Sequence, residues 1–107
     1  MGKFERFLDK AGQHRFRLKA DNGEPILASE GYTSMGGLNN GIDSVKENAT
    51  DDANYERKQT SAGWSFNLKA ENGKIIGTSE VYNSKAGRDN GIDAVKRVAP
   101  SATVVDA

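Results

Sequence analysis

The single histidine is the first residue to weigh for catalysis, because a hydrolytic triad needs a nucleophile, a base and a residue that orients the base. His14 is the only histidine in 107 residues, and the chain contains no cysteine. The lack of cysteine excludes disulfides, zinc-thiolate sites, iron-sulfur clusters and cysteine nucleophiles. Trp64 stands at the corresponding place in the second half of the chain. We therefore interpret His14 as a strand-start residue with a surface or packing role.

Paired carboxylates offer a second chemistry, since they can act as acid and base or bind a hard cation such as calcium. Glu30 and Glu80 each lie within a Ser-Glu-x-Tyr element, and Asp43 and Asp93 recur farther along. A carboxylate-based enzyme near Glu30 and Glu80 is one hypothesis. We favour the alternative, in which hydrogen bonds of Ser-Glu-x-Tyr fix a strand-to-helix connection and the aspartates face water. No catalytic, cofactor-binding or metal-binding residue is assigned, and no cofactor is expected.

A row of cations supplies a third chemistry, the binding of a phosphate backbone. The cations alternate with apolar residues and therefore share one face of a strand. They are Arg15, Arg17 and Lys19, joined by Lys69 from the second half. A formal net charge of zero and a pI near 6.6 argue against a nucleic-acid surface. The alternative is that Glu5 and Glu56, on neighbouring strands, pair with these cations across the sheet.

The elements that must position these residues occur twice. Residues 16–49 match residues 66–99 at a constant offset of 50, without a gap. The Asn-Gly pair at 22–23 recurs at 72–73, and Asn-Gly-Ile-Asp at 40–43 recurs at 90–93. Upstream, residues 4–6 resemble residues 55–57 at an offset that is larger by one. We therefore predict one domain, residues 1–107, made of a first repeat (residues 1–52) and a second repeat (residues 53–107).

Within each repeat the hydrophobic spacing changes from strand to helix. Phe16, Leu18 and their counterparts Phe66 and Leu68 alternate with polar residues, which is typical of a half-buried strand. The Asn-Gly pairs predict hairpins with tight primed turns, and third strands follow at residues 25–29 and 74–79. Steps of three and four over residues 35–49 then predict a helix.

Serines and glycines refine the two predicted helices. Ser34 and Ser84 stand where N-caps belong. Gly41 and Gly91 lie beside the apolar stripe, which suggests that each helix backbone lies close against the sheet. A closing strand is predicted at Thr103–Val105. One repeat of about 50 residues is marginal for independent stability, so we expect two repeats to share one core around a pseudo-two-fold axis.

These motifs resemble those of the YegP-like family of small bacterial proteins. The matching motifs are NGE-x-I-L-x-SEGY and NGIDSVK, with second copies NGK-x-I-G-x-SEVY and NGIDAVK. The resemblance covers nearly the whole chain, and its elements occur in the same order twice. It implies a β3-α-β unit, two of which assemble into one sheet and exchange their terminal strands. It implies no particular activity, so no catalytic or ligand residue is carried over.

Together the patterns predict a small, soluble, non-enzymatic α+β binding module with tandem repeats. We expect one mainly antiparallel sheet with both helices on one face, and a partner bound to the other face or to an edge strand. The predicted contact surface comprises Arg15, Arg17, Lys19, Asn67 and Lys69. A protein partner is favoured over nucleic acid, and a monomer is expected. The charged first ten residues contain no apolar run, which favours the cytoplasm and no membrane contact.

Overall fold

Seven strands and two helices form the fold in a computed structural model, which describes residues 2–107. The strands are β1 (Lys3–Leu8), β2 (His14–Lys19), β3 (Pro25–Ala28), β4 (Tyr55–Thr60), β5 (Gly63–Lys69), β6 (Ile75–Thr78) and β7 (Thr103–Asp106). The helices are α1 (Met35–Asn48) and α2 (Lys85–Val98). Short 3-10 helices, Asp52–Asn54 and Ala99–Ser101, follow α1 and α2. The order confirms the predicted β-β-β-α pattern in both repeats and the closing strand.

All seven strands join one sheet in the order β4-β5-β6-β3-β2-β1-β7. Neighbours are antiparallel, except that β7 runs parallel to β1. The repeats meet in the middle of the sheet, where Ala28 of β3 pairs with Thr78 of β6. A pseudo-two-fold axis therefore passes between β3 and β6. The predicted α+β class, with a mainly antiparallel sheet and pseudo-two-fold symmetry, is confirmed.

The hairpin after β2 differs from its predicted turn type. Gly23 has φ 84°, and its amide donates to the Ala20 carbonyl at 2.9 Å. A type I′ turn requires positive φ at both central residues. Within residues 2–107 no residue other than glycine has positive φ, so Asn22 does not meet this requirement. The prediction of a primed turn was wrong, because Gly23 alone takes the left-handed conformation, as in a three-residue hairpin loop.

Both helices begin at the predicted serine caps. The Ser34 hydroxyl accepts a hydrogen bond from the Gly37 amide at 3.0 Å, and Ser84 accepts one from Gly87 at the same distance. Each bond satisfies an amide that has no partner within its own helix. The serines therefore fix the point at which the chain turns from the sheet into the helix.

The glycines inside the helices make room for tyrosines rather than for the sheet backbone. A methyl group at Gly41 would lie 2.5 Å from Oη of Tyr32, and one at Gly91 would lie 2.5 Å from Oη of Tyr82. Both distances are shorter than van der Waals contact. The expectation that these glycines bring the helix against the sheet is therefore corrected, since the tyrosine ring before each helix takes the space.

One hydrophobic core lies between the sheet and the two helices. Phe4, Phe16 and Phe66 are fully buried in it, together with Val45 of α1 and Val95 of α2. Helix α1 packs on β2 and also on β6 of the second repeat, and α2 packs on β5 and also on β3 of the first. Each helix thus covers part of the other repeat, as expected if two marginal halves share one core.

Candidate functional site

The sheet surface opposite the helices, called here the free face, carries the predicted contact residues. Phe16 and Leu18 of β2 are fully buried towards the helices. Because side chains alternate along a strand, Arg15, Arg17 and Lys19 point to the free face. Asn67 and Lys69 do the same on β5.

One cross-strand row spans the whole free face and shows how the predicted residues are arranged. Successive pairs in the row are in direct register. In sheet order the residues are Val105, Glu5, Arg17, Ala28, Thr78, Asn67 and Glu56. Arg17 and Asn67 lie three strand spacings apart, or about 14 Å. The predicted residues therefore form two clusters, one in each repeat, separated by the small side chains of Ala28 and Thr78.

In the first repeat each of the three predicted cations, Arg15, Arg17 and Lys19, has an acidic partner. Asp9 Oδ2 lies 2.6 Å from Arg15 Nε, and Glu5 contacts both Lys19 at 3.2 Å and Arg17 at 3.8 Å. The hydrogen bond from Arg15 to Asp9 is the main cause that lowers the pKa of this carboxyl group. The prediction that Glu5 pairs with the cations across the sheet is confirmed.

The second repeat has a less cationic version of this arrangement. The Asn67 amide donates to Glu56 Oε1 at 2.9 Å, and Lys69 donates to Glu56 Oε2 at 3.0 Å. Both hydrogen bonds lower the pKa of Glu56, and the bond from Asn67 has the larger effect. Asn67 is only 5% exposed. Glu56 therefore pairs as predicted, while Asn67 lies mostly below the surface that a partner would touch.

An aromatic-arginine stack distinguishes the first repeat on the free face. The Arg17 guanidinium lies 4.2 Å from the centroid of the Phe7 ring, within cation–π range. Lys58 of β4 stands at the place of Phe7 in the second repeat, since Phe7 pairs with Arg15 and Lys58 pairs with Ser65. The stack was not anticipated from the sequence. Phe7 lies three residues after buried Phe4, so strand alternation already placed it on the opposite face.

A cavity of about 260 Å³ opens beside this stack. Its wall includes Phe7, Arg15 and Arg17, with Ala28 and Glu80 on the side towards the second repeat. A neighbouring cavity of about 370 Å³ shares Glu80 and reaches Tyr82. Burial is the main cause that raises the pKa of Tyr82, and Glu80 adds to it. The two cavities together offer a shallow groove with cations and an aromatic ring at one end and a carboxylate between them.

The Ser-Glu-x-Tyr elements have the structural role that was favoured. Ser29 Oγ accepts from the Phe16 amide at 2.9 Å and donates to the Glu30 carbonyl at 2.8 Å. The Tyr32 backbone then pairs with that of His14 through two hydrogen bonds of 2.8 Å. The carboxylates of Glu30 and Glu80 are exposed. This hydrogen-bonded connection accounts for the repeated serine and tyrosine.

The other candidates from the sequence are His14 and a metal site. His14 begins β2 and lines a cavity of about 210 Å³ with Leu8, Met35 and Asp106. Within residues 2–107, no group of three or more histidine, cysteine, aspartate or glutamate side chains is placed to hold a metal ion. In the same part of the chain, no helix has the length and apolar character needed to cross a bilayer.

Comparison with known proteins finds one family model and several related proteins that match this chain. The family model described as a domain of unknown function, DUF1508, matches residues 9–56 and 60–106. A UPF0339 protein in the ptx operon 5' region of Stutzerimonas stutzeri is 62% identical over 61 residues, which cover 57% of this chain and 55% of that protein. The chain thus spans about half the length of this relative. A UPF0339 protein of Methanosarcina acetivorans is 57% identical over 49 residues, which cover 46% of this chain and 84% of that protein.

Two solution structures share the fold over almost the whole chain. One is a UPF0339 protein from Shewanella oneidensis, with a TM-score of 0.92 and 44% identity over 98% of this chain and 90% of that one. The other is the protein of unknown function yegP from E. coli, with a TM-score of 0.93 and 46% identity over 98% of this chain and 91% of that one. The tandem architecture is therefore common to all three proteins.

Proposed function

The chain belongs to the DUF1508 family of UPF0339 and YegP proteins. We propose that it is a binding module that contacts another protein through its free face. The observation that carries the proposal is the stack of Arg17 on Phe7 beside the 260 Å³ cavity. Arginine and aromatic side chains supply much of the binding energy at protein interfaces. The surface proposed for contact is therefore the first-repeat end of the free face, formed by Phe7, Arg15 and Arg17.

The chemistry of this surface defines the partner segment. The side chains of Arg15 and Arg17 are 39% and 40% exposed, so each guanidinium keeps donors free for a further carboxylate. Phe7 and Ala28 offer apolar surface beside them. We therefore propose a partner that presents a carboxylate next to an apolar side chain. Lys19 contributes less, because its side chain is 24% exposed and is bound to Glu5.

A protein partner fits this surface better than nucleic acid does. Each cation in the predicted surface, in either repeat, has a carboxylate within 3.8 Å. Phosphate binding would have to compete with those carboxylates, which repel phosphate. The formal net charge of zero adds no long-range attraction.

The proposed role is non-catalytic and needs no cofactor. Glu30 and Glu80, the carboxylates considered for an enzyme, are both exposed to solvent. The module is proposed to act as a monomer, since two repeats already complete one core.

Affinity capture with matched variants tests the proposal. Wild type, Arg15→Gln/Arg17→Gln and Lys58→Gln/Lys69→Gln are immobilised, and captured proteins are quantified by mass spectrometry. Both variants remove two positive charges from the free face, one pair from each repeat. Proteins retained by wild type and by the second-repeat variant are expected to fall about tenfold or more with the first-repeat variant, which corresponds to about 1.4 kcal/mol.

The outcomes separate the alternatives. Equal capture by the two variants would remove the first-repeat surface as the contact site. Loss of the captured proteins after nuclease treatment of a parallel sample would instead assign the surface to nucleic acid. Circular dichroism spectra of all three proteins, expected to coincide, control for unfolding.

A further inference from the structure

The first strands of the two repeats occupy equivalent places but have different neighbours. Phe4 of β1 pairs with Leu18, and Tyr55 of β4 pairs with Leu68, so the two strands are related by the pseudo-two-fold axis. Strand β1 pairs with β2 on one side and with β7 on the other. Within residues 2–107, β4 pairs only with β5 and forms an edge of the sheet. Within the described residues, no strand therefore lies beside β4 in the way that β7 lies beside β1.

The pairing of β7 with β1 shows what such a place binds. The strands are parallel, with Phe4 opposite Val104 and Arg6 opposite Asp106. The Thr103 amide donates to the Gly2 carbonyl at 3.3 Å, and the Ala107 amide donates to the Arg6 carbonyl at 2.8 Å. Arg6 Nε also donates to Asp106 Oδ1 at 2.7 Å. Backbone bonds and one ion pair thus hold a short strand whose side chains are largely exposed.

The β4 edge carries an arginine at the position equivalent to Arg6. Arg57 pairs with Phe66 as Arg6 pairs with Phe16, so Arg57 is the equivalent of Arg6. Its side chain is 37% exposed. Arg57 has two carboxylate partners: Asp52 Oδ1 lies 2.8 Å from its Nη2, and Asp89 Oδ1 lies 3.8 Å from its Nε. Asp52 lies just before β4, so a carboxylate brought by a neighbouring strand would compete with it for Arg57.

We propose that β4 accepts an extended segment of a partner protein as a parallel eighth strand. By the chemistry of β7, the segment carries three β-branched residues followed by an aspartate, whose carboxylate replaces Asp52 at Arg57. Unpaired edge strands bind extended peptides through main-chain hydrogen bonds, and side chains supply the selectivity. This surface is separate from the Arg17 stack on the free face, so either assignment stands without the other.

A peptide of residues 101–107, acetylated at its first residue, is the probe. It is titrated into the full chain labelled with nitrogen-15, and amide shifts are followed by NMR. The proposal expects saturable shifts at residues 55–59 of β4, with residues 3–8 of β1 unaffected. Shifts confined to β1, which would mean displacement of β7, would overturn it, as would no shifts at millimolar peptide.

Matched peptides test the strand geometry. The amides of Thr103 and Ala107 point towards β1. Because the direction of the amide alternates along a strand, the Val105 amide also points towards β1, and the Val104 amide points away from it. N-methylation at Val105 is expected to weaken binding about tenfold through a lost hydrogen bond. The same change at Val104 is expected to have little effect. Equal loss from both peptides would contradict parallel strand addition.

Variants of the chain test the ion pair. Arg57→Gln is expected to weaken binding of the peptide about two- to fivefold, the size of an exposed ion pair. Asp52→Asn is expected to strengthen it by a similar factor, because it removes the nearer of the two carboxylates that compete for Arg57. Arg6→Gln, the control at the equivalent place, is expected to leave the affinity unchanged. A dimeric mass in sedimentation without peptide would assign the edge to a second copy and overturn the proposal.

Discussion

The two repeats keep the same order of strands and helix and the same Ser-Glu-x-Tyr and Asn-Gly-Ile-Asp elements, yet they differ where they meet. Leu27 of β3 and Gly77 of β6 are equivalent positions at the pseudo-two-fold axis. A methyl group at Gly77 would lie 2.6 Å from both Cγ and Cδ2 of Leu27. One large and one absent side chain therefore fill a space that two identical residues would overfill or leave empty.

The difference on the free face has a related meaning. Phe7 and Arg17 of the first repeat correspond to Lys58 and Asn67 of the second. No core contact requires the two repeats to agree at these places, since they lie on the face away from the helices. The comparison teaches that shared residues fix the architecture, while residues that differ either complement each other at the axis or shape a surface.

Exchanging the residues at the axis is the change with the largest expected effect. Leu27→Gly is expected to lower the free energy of unfolding by about 2–5 kcal/mol, because it empties a core position. Gly77→Leu is expected to lower it by about 3 kcal/mol, because the new side chain overlaps Leu27. The double variant is expected to lose about 2 kcal/mol less unfolding free energy than the sum of the two single losses. Urea denaturation measures all three, and purely additive effects would break the idea of complementary halves.

The tyrosine-glycine contact is where the repeats are expected to respond alike. Gly41→Ala and Gly91→Ala are each expected to cost about 1–2 kcal/mol, since overlap with the tyrosine outweighs the gain in helix propensity. Gly36→Ala is the control, because the nearest atom to its methyl group would be Ser34 Oγ at 4.0 Å. Thermal and urea unfolding provide the values. A difference above about 1 kcal/mol between the two helices would contradict their equivalence.

Acid is expected to weaken the ion pairs that Asp52 of the first repeat makes with Arg57 and Lys96 of the second. This is the smallest expected effect. Hydrogen bonds from Arg57 and then Lys96 lower the pKa of Asp52 to about 2. A carboxyl group with a lowered pKa in the folded state stabilises the fold above its unfolded pKa, near 3.9, and loses this as the pH falls towards about 2. The melting temperatures of wild type and Asp52→Asn are therefore expected to converge between pH 5 and pH 2.

A double variant provides the control for this convergence. In a chain that already carries Arg57→Gln and Lys96→Gln, the substitution Asp52→Asn should show no such convergence. If convergence persists there, another interaction causes the acid sensitivity.

Local patterns predicted the elements well because each pattern reflects one physical period. Alternation at residues 16–20 predicted β2, and the predicted cap Ser34 immediately precedes α1. The turn type was wrong because it depends on the φ angle of Asn22, which residue type leaves open. The role of Gly41 was misread because its neighbour Tyr32 comes from the segment before the helix, which spacing within the helix does not show.

The site was less predictable than the fold. Strand alternation places Arg17 and Phe7 on one face, but their stacking depends on the register between β1 and β2. The position of Glu80 beside the first repeat depends on the pairing of β3 with β6, 50 residues apart along the chain. No local pattern carries that information, so the groove emerges only when the sheet is assembled.

The parallel pairing of β1 with β7 also sets the order in which the sheet is completed during synthesis. Lys3 meets Thr103, 100 residues later. At about 5–20 residues per second, the outer edge of β1 waits about 5–20 s on the ribosome for its neighbour. During that interval the edges of β1 and β4 are equivalent, and nascent chains on one messenger present similar edges to each other. The two repeats become distinct in their surroundings only when the last strand has been made.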